Sequence, residues 1–345
     1  MEERKAMPVR EPRRVLAVRV GRMGDLVMLT PALRLLLDGL PDAELHVLTT
    51  AEGRRVLRGF DPRIRGVHLY HRRFPDGLLM RGRLLRELRA LRFDRAYVFE
   101  SHSHYGKLVR GLAPEIHGFP DAPRSAHYAA RCLDVIEPTL ARPAKRGWLT
   151  LPVTEAARNA AAEYLTRHGL ANSDTLAGLH LTFSESGRGA FASGRGRKHR
   201  EWPAAHCAEL ARRLVDHGRA LGISIRPVLD ALPEERSMAL ALAERSGGAI
   251  TVLSGAPDFE RYKALLGRMS VLVAPNTGPM HVAAAVGTPV VALFSGWSPA
   301  DCGPFVSPER AVVIRAEDTP HPERGLASIP PESAFEACRP FLARG

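Results

Sequence analysis

The sequence predicts an α/β protein made of two Rossmann-like, doubly wound domains facing across a cleft. Three observations predict it. Strand-like and helix-like apolar patterns alternate along the chain, a strand–glycine loop–helix opens it, and a strand–loop–helix–strand unit lies in its last third. At 345 residues the chain exceeds one ordinary core, so residues 1–170 and 175–330 are expected to form two domains. The tail 331–345 is expected to carry a final helix, Pro331–Leu342, that crosses back to the first.

In order, Arg14–Val20 reads as the first strand, followed by Gly21-Arg22-Met23-Gly24-Asp25 and the helical run Leu26, Leu29, Leu33, Leu36, Leu37. Pro31 either kinks this helix or marks a second start with Thr30 as cap. The G-x-x-G-D spacing is not the dinucleotide fingerprint, which needs G-x-G-x-x-G. Taken alone, Asp25 reads as a helix cap. Glu44–Thr50, Val67–Tyr70 and Arg95–Phe99 are strands, with helices at Gly53–Arg58 and Leu78–Leu91 between them. The polar run Glu100–Tyr105 follows the last of these strands, where α/β sheets place ligands, and makes His102 and His104 candidates for acceptor contact. A metal reading of that pair lacks a third ligand at matching spacing.

Helix Glu155–His168 precedes an expected interdomain linker, Gly169–Asp174. Strand Leu176–Leu181 leads into a long Ser/Gly/basic loop, Thr182–Arg200, which reads as a lid. Helix Pro203–His217, strand Ser224–Leu229, helix Glu234–Ser246, strand Ile250–Leu253 and helix Asp258–Met269 follow. Val271–Ala274 is then a strand that the loop Pro275–Pro279 cannot continue, and Pro279 suits the first turn of helix Met280–Val286. Gly287 stops that helix, and Pro289–Phe294 is a buried strand. This loop aims backbone N–H groups, the Thr277 hydroxyl and the His281 imidazole at one point, a geometry suited to a diphosphate. Read by itself, it is equally an ordinary connection between helix and strand.

Together the two motifs resemble the ADP-heptose:lipopolysaccharide heptosyltransferases, glycosyltransferase family 9. The family pattern of strand–G-x-x-G-D–helix, with a proline soon after, matches Val15–Pro31, and its turn into the second strand matches Pro41–Leu48. The segment D-[ST]-G-x-x-H-x-A-A-A-x-G-x-P matches Asn276–Pro289, and K-x-W-P matches Arg200-Glu201-Trp202-Pro203. Two positions depart: Asn276 replaces the signature aspartate, and Arg200 stands where the lysine is expected, with Lys198 two residues upstream.

The resemblance implies a GT-B architecture and an inverting, metal-independent transferase with no cofactor. It makes Asp25 the general base on a loop set by Gly21 and Gly24. It assigns donor binding to Thr182, Lys198, Arg200, Glu234, Asn276, Thr277, Gly278 and His281, and acceptor binding to Arg22, His102 and His104. Which of Lys198 and Arg200 meets the diphosphate is left open. The implied donor is a nucleotide sugar, ADP-heptose, and the implied acceptor an anionic glycolipid of the lipopolysaccharide core. Alternatives are a family member acting on another sugar or a soluble acceptor, a nucleotide-sugar epimerase, and a non-catalytic glycan binder.

Charge is unevenly placed: residues 1–150 hold 28 Lys/Arg against 17 Asp/Glu, whereas residues 151–345 hold 21 against 20. The basic half favours an anionic partner, and with few aromatics and no nucleic-acid module an acidic membrane surface suits it better than nucleic acid. No apolar run approaches the roughly 20 residues that span a bilayer, and Met1–Arg14 lacks the apolar core of a signal peptide. Four widely spaced cysteines read as buried thiols. Together these point to the cytoplasm, at the inner face of the cytoplasmic membrane.

Overall fold

The computed structural model describes residues 11–71, 76–120, 126–140, 142–180 and 201–342, with the backbone alone for 76–79. Thr182, Lys198 and Arg200, with the rest of the expected lid, lie outside the described residues. The chain divides into two compact units, Met1–Gly147 and Trp148–Gly345.

Unit 1 is a five-stranded parallel sheet in the order β3-β2-β1-β4-β5. Its strands are β1 (Arg14–Val18), β2 (Glu44–Thr49), β3 (Ile64–Leu69), β4 (Arg95–Val98) and β5 (Glu115–Gly118), and its helices are α1 (Met23–Gly39), α2 (Ala51–Leu57), α3 (Asp76–Leu91), α4 (Ser103–Val109) and α5 (Tyr128–Ile136). β1 pairs with both β2 and β4, so the chain winds outward in both directions from the β1/β4 boundary. Leu16, Val18, Leu48, Ala96 and Val98 pack beneath the sheet with Leu84, Leu88 and Phe93.

Pro31 neither ends nor restarts α1. It takes the N–H from the bond that residue 31 would give to the Val27 carbonyl, and the Thr30 hydroxyl donates to that same carbonyl at 2.8 Å. One side chain thus repairs what its neighbour breaks, and the helix runs through.

Unit 2 has a six-stranded parallel sheet in the order β11-β10-β9-β6-β7-β8. The strands are β6 (Thr175–Leu179), β7 (Ile225–Ala231), β8 (Thr251–Ser254), β9 (Val271–Pro275), β10 (Val290–Phe294) and β11 (Ala311–Arg315). Around them lie α6 (Glu155–Arg167), α7 (Ala204–Leu221), α8 (Arg236–Arg245), α9 (Phe259–Gly267), α10 (Gly278–Ala285), the short α11 (Pro299–Cys302) and α12 (Pro331–Leu342). Counted within the unit, this is the 3-2-1-4-5-6 order of a doubly wound dinucleotide fold, with its switch point between β6 and β9.

Two expectations about the chain's division are corrected. Gly169–Asp174 is not an interdomain linker but the connection from α6 to β6 inside unit 2. The chain joins unit 2 earlier, because Leu149 N–H bonds to the Phe305 carbonyl, Leu151 N–H to that of Ala285, and Lys263 Nζ to that of Pro152. The closing helix belongs to unit 2 as well: Ala334, Cys338, Phe341 and Leu342 are buried in the same core as Leu210, Leu214 and Val291. Strands β5 and β11 and helices α4 and α5 have no counterpart in the sequence reading. Both are edge strands: β5 (EIHG) is mostly exposed and has no apolar run, whereas β11 (AVVIR) is mostly half-buried and its short run Ala311–Ile314 was passed over. Among the described residues no helix is long and apolar enough to cross a membrane.

Candidate functional site

Each unit places its chemistry at the carboxyl ends of the strands flanking its switch point, where open α/β sheets bind ligands. In unit 1 these ends carry Gly21–Asp25 after β1 and Glu100–His104 after β4.

The Asp25 carboxylate turns back over the loop. Its Oδ2 accepts the Arg22 N–H at 2.7 Å and its Oδ1 accepts from Arg19 Nη2 at 2.7 Å. The first bond makes Asp25 a helix cap; the second ties it to a buried cation. Gly21 has no alternative here, because a Cβ at that position would lie 2.4–2.8 Å from the Asp25 side chain. The Thr50 hydroxyl donates to the Gly21 carbonyl at 2.8 Å and pins the loop to the start of α2.

Arg19 was not anticipated from the sequence, and Glu100 only as the first residue of the polar run after β4, not as its partner. The Arg19 guanidinium donates to Glu100 Oε2 and to the Phe99 carbonyl, each at 3.1 Å, and stacks 4.5 Å above the Tyr128 ring. Glu100 Oε1 in turn accepts the Val20 N–H at 2.6 Å. Burial works against the Arg19 charge, but Tyr128, Asp25 and Glu100 outweigh it and hold its pKa above the ordinary arginine value. Burial pushes the Tyr128 hydroxyl well above its usual range and the Cys132 thiol up to about 12, so both stay protonated near neutrality. Of the two carboxylates, Glu100 is 9% exposed and Asp25 30%. Asp25 is therefore the more accessible of the two. The missed signal was Arg19 near the end of the apolar run RVLAVRV, between buried Val18 and Val20, whose charge requires a buried acid somewhere.

The expected acceptor residues gather at the same end. Arg22 is exposed at the start of α1. His102 caps α4 through Nδ1, which accepts the His104 N–H at 3.3 Å. His104 Nε2 shares a 3.0 Å hydrogen bond with the Tyr70 hydroxyl, and Arg81 lies over the Tyr70 ring.

In unit 2 the corresponding corner follows β9. Thr277 sits before α10 in extended conformation, and its hydroxyl donates to the Pro275 carbonyl at 3.1 Å rather than capping the helix. Asn276, Thr277, Gly278 and Pro279 are half-buried, and His281 is buried below them. The run Asn276–His281 carries no carboxylate and no formal charge. Glu234 lies exposed after β7, on the other side of β6. Trp202 of the R-E-W-P element is a core residue: it is buried and its indole N–H bonds to the Ile329 carbonyl at 3.0 Å.

A second polar cluster lies beside the β7 end. The Tyr164 hydroxyl donates to Asp230 at 3.1 Å, and Arg261 stacks 4.2 Å over the Tyr164 ring. Burial raises the Asp230 carboxyl to about 6, and its bond from Tyr164 only partly offsets this.

The model of glycosyltransferase family 9 (heptosyltransferase) matches residues 81–328, most of the chain. The protein belongs to glycosyltransferase family 9. Lipooligosaccharide heptosyltransferase 2 of Haemophilus influenzae is 27% identical over 156 residues, and its namesake in Haemophilus ducreyi 31% over 121. Those alignments cover 42% and 34% of this chain, and 44% and 34% of the relatives' own lengths. A family 9 glycosyl transferase structure from Veillonella parvula superposes with a TM-score of 0.80 at 20% identity, covering 96% of this chain and 98% of that one. The E. coli ADP-heptose lps heptosyltransferase II structure superposes at 0.70 and 21%, covering 95% and 98%, and heptosyltransferase WaaC with ADP at 0.71 and 19%, covering 95% and 99%. At these identities the structures establish the shared two-domain α/β fold of the family.

Proposed function

We propose that this family 9 protein is an inverting, metal-independent heptosyltransferase that uses ADP-heptose to glycosylate an anionic acceptor of the lipopolysaccharide core. The observations that support the reading lie in each unit by itself: a half-buried, braced carboxylate after β1 in unit 1, and an uncharged run opening the helix after β9 in unit 2. The α10 amides, Gly278 and His281 receive the diphosphate, and Lys198 or Arg200 adds a cation to it. Asp25 takes the proton of the acceptor hydroxyl as that oxygen attacks the anomeric carbon. The carbon–oxygen bond to the diphosphate breaks from the opposite face, which inverts the centre. A positioned base contributes about 10²–10⁴-fold, and dipoles fixed around the leaving diphosphate stabilise its growing charge without reorganising. Similarity to the Haemophilus lipooligosaccharide heptosyltransferases and to the ADP-bound WaaC structure supports the choice of sugar and nucleotide.

The acceptor is placed against unit 1 by its charge. Arg54, Arg55, Arg58, Arg65, Arg86 and Arg89 are exposed there, whereas Arg34 and Arg63 are used up on Asp61. The same exposed arginines support peripheral contact with an acidic cytoplasmic leaflet. The test is ADP release from ADP-heptose with and without a heptose-free core glycolipid. Release that depends on acceptor, with inverted anomeric configuration in the product, is expected. Interconversion of the donor without acceptor would point to an epimerase instead.

A further inference from the structure

β1 and β2 pair in parallel, so the loop after β1 and the turn after β2 leave the sheet side by side. Two side chains of that turn reach across to the loop. The Thr50 hydroxyl donates to the Gly21 carbonyl at 2.8 Å, and Glu52 Oε2 accepts the Met23 N–H at 3.1 Å. The two gripped residues flank Arg22, whose N–H carries the Asp25 carboxylate. This close approach is built into the sequence. Gly53 is buried on α2, and a Cβ there would lie 2.8 Å from Leu26 Cγ of α1 and closer still to Thr49 Oγ1. A side chain at that position would lift α2 off α1 and carry Glu52 away from Met23.

Glu52 itself is exposed. Water is a ready alternative partner for such a carboxylate, so its bond to Met23 adds little to stability, and its consequence is local. The Arg22 and Met23 amides are consecutive at the start of α1, where an unpaired N–H attracts the nearest anion. With Glu52 in place the Met23 amide is satisfied, and Asp25 stays on Arg22 and Arg19. Without Glu52 the Met23 N–H competes for the same carboxylate and swings it.

We propose that Glu52 is a positioning residue for Asp25: by occupying the Met23 amide it fixes which way the Asp25 carboxylate faces. The proposal rests on the reading of Asp25 as the base that takes the acceptor proton. Thr50 and Gly53 complete the device, the first by pinning the Gly21 carbonyl and the second by letting α2 come close enough for Glu52 to reach. Glu52 acts only through Asp25 and touches neither donor nor acceptor.

The test is steady-state turnover of ADP-heptose with the core glycolipid, together with thermal unfolding, on the full-length protein and its variants. Glu52→Ala is expected to lower kcat by about tenfold, less than the roughly 100-fold of a displacement of about 1 Å, because Thr50 still pins Gly21. Donor and acceptor KM should stay within about twofold of wild type and the unfolding midpoint should not move, since Glu52 is exposed and outside both binding surfaces. Glu52→Gln should keep turnover within about twofold of wild type, because its amide oxygen also accepts the Met23 N–H. In an Asp25→Asn background Glu52→Ala should cost nothing further, as residues that act through one another do not add. Wild-type kcat in Glu52→Ala, equal loss in both Glu52 variants, or an undiminished further loss on top of Asp25→Asn overturns the positioning role. A rise in acceptor KM with kcat unchanged overturns it too, since Glu52 would then contact substrate. Wild-type turnover in Asp25→Asn overturns the base itself, a result distinct from the others.

Discussion

The corners after β1 and after β9 share one backbone device, a parallel strand turning through a glycine-containing loop into a helix, yet they are built to opposite electrostatic plans. At the first, the protein supplies its own anion. Asp25 takes an N-terminal amide of α1, and Arg19 and Glu100 brace it from behind. At the second, the run Asn276–His281 contains no carboxylate, and the Thr277 hydroxyl is directed to a carbonyl. On the proposed reading, the helix start filled by its own aspartate presents the base, and the uncharged one receives the diphosphate.

The largest effect should come from removing the base. Asp25→Asn keeps the shape and is expected to lower kcat by about 100-fold or more in steady-state assays. Gly21→Ala attacks the same carboxylate by sterics alone. The new methyl would overlap the Asp25 side chain, and displacement by about 1 Å can cost about 100-fold in turnover, with donor KM little changed. Glu100→Gln leaves Arg19 with one anionic partner instead of two. A fall of about tenfold in kcat, without change in donor affinity, would separate bracing from binding.

Unit 2 offers a contrast that reads on stability. The folded Asp230 carboxyl sits at about 6, above the value near 3.9 expected when unfolded, so the folded state binds more protons between those values. Its destabilising contribution is absent below about pH 4, grows as pH rises through about 6 and is constant above. Asp230→Asn should therefore be more stable than wild type at pH 8, by about 1–2 kcal/mol in unfolding free energy, and the difference should close by pH 4. The smallest effect is at the surface: exposed arginines of unit 1 should each add about 1 kcal/mol or less to binding of acidic vesicles, lost as salt rises.

The architecture was legible because buried parallel strands such as VVALF and VLVAP are unbroken apolar runs between glycines and prolines. β5, with the sequence EIHG, has no such run and exists because β4 offers it an edge. Asp25 and Asn276–His281 were legible because motif spacing carried them. Arg19 and Glu100 were not, since 81 residues separate partners that only the β1–β4 pairing brings together. The domain boundary was misread for the same reason. Nothing in Glu155–Arg167 says that it packs on α9 rather than on unit 1.

The contrast between the corners is tested most directly by titrating ADP into Asp25→Asn and into His281→Ala while measuring turnover of each. The first should bind ADP as wild type does and turn over at about one hundredth of its rate or less. The second should lose ADP affinity. Equal loss of ADP binding in both, or wild-type turnover in Asp25→Asn, would contradict the division of labour between the two corners.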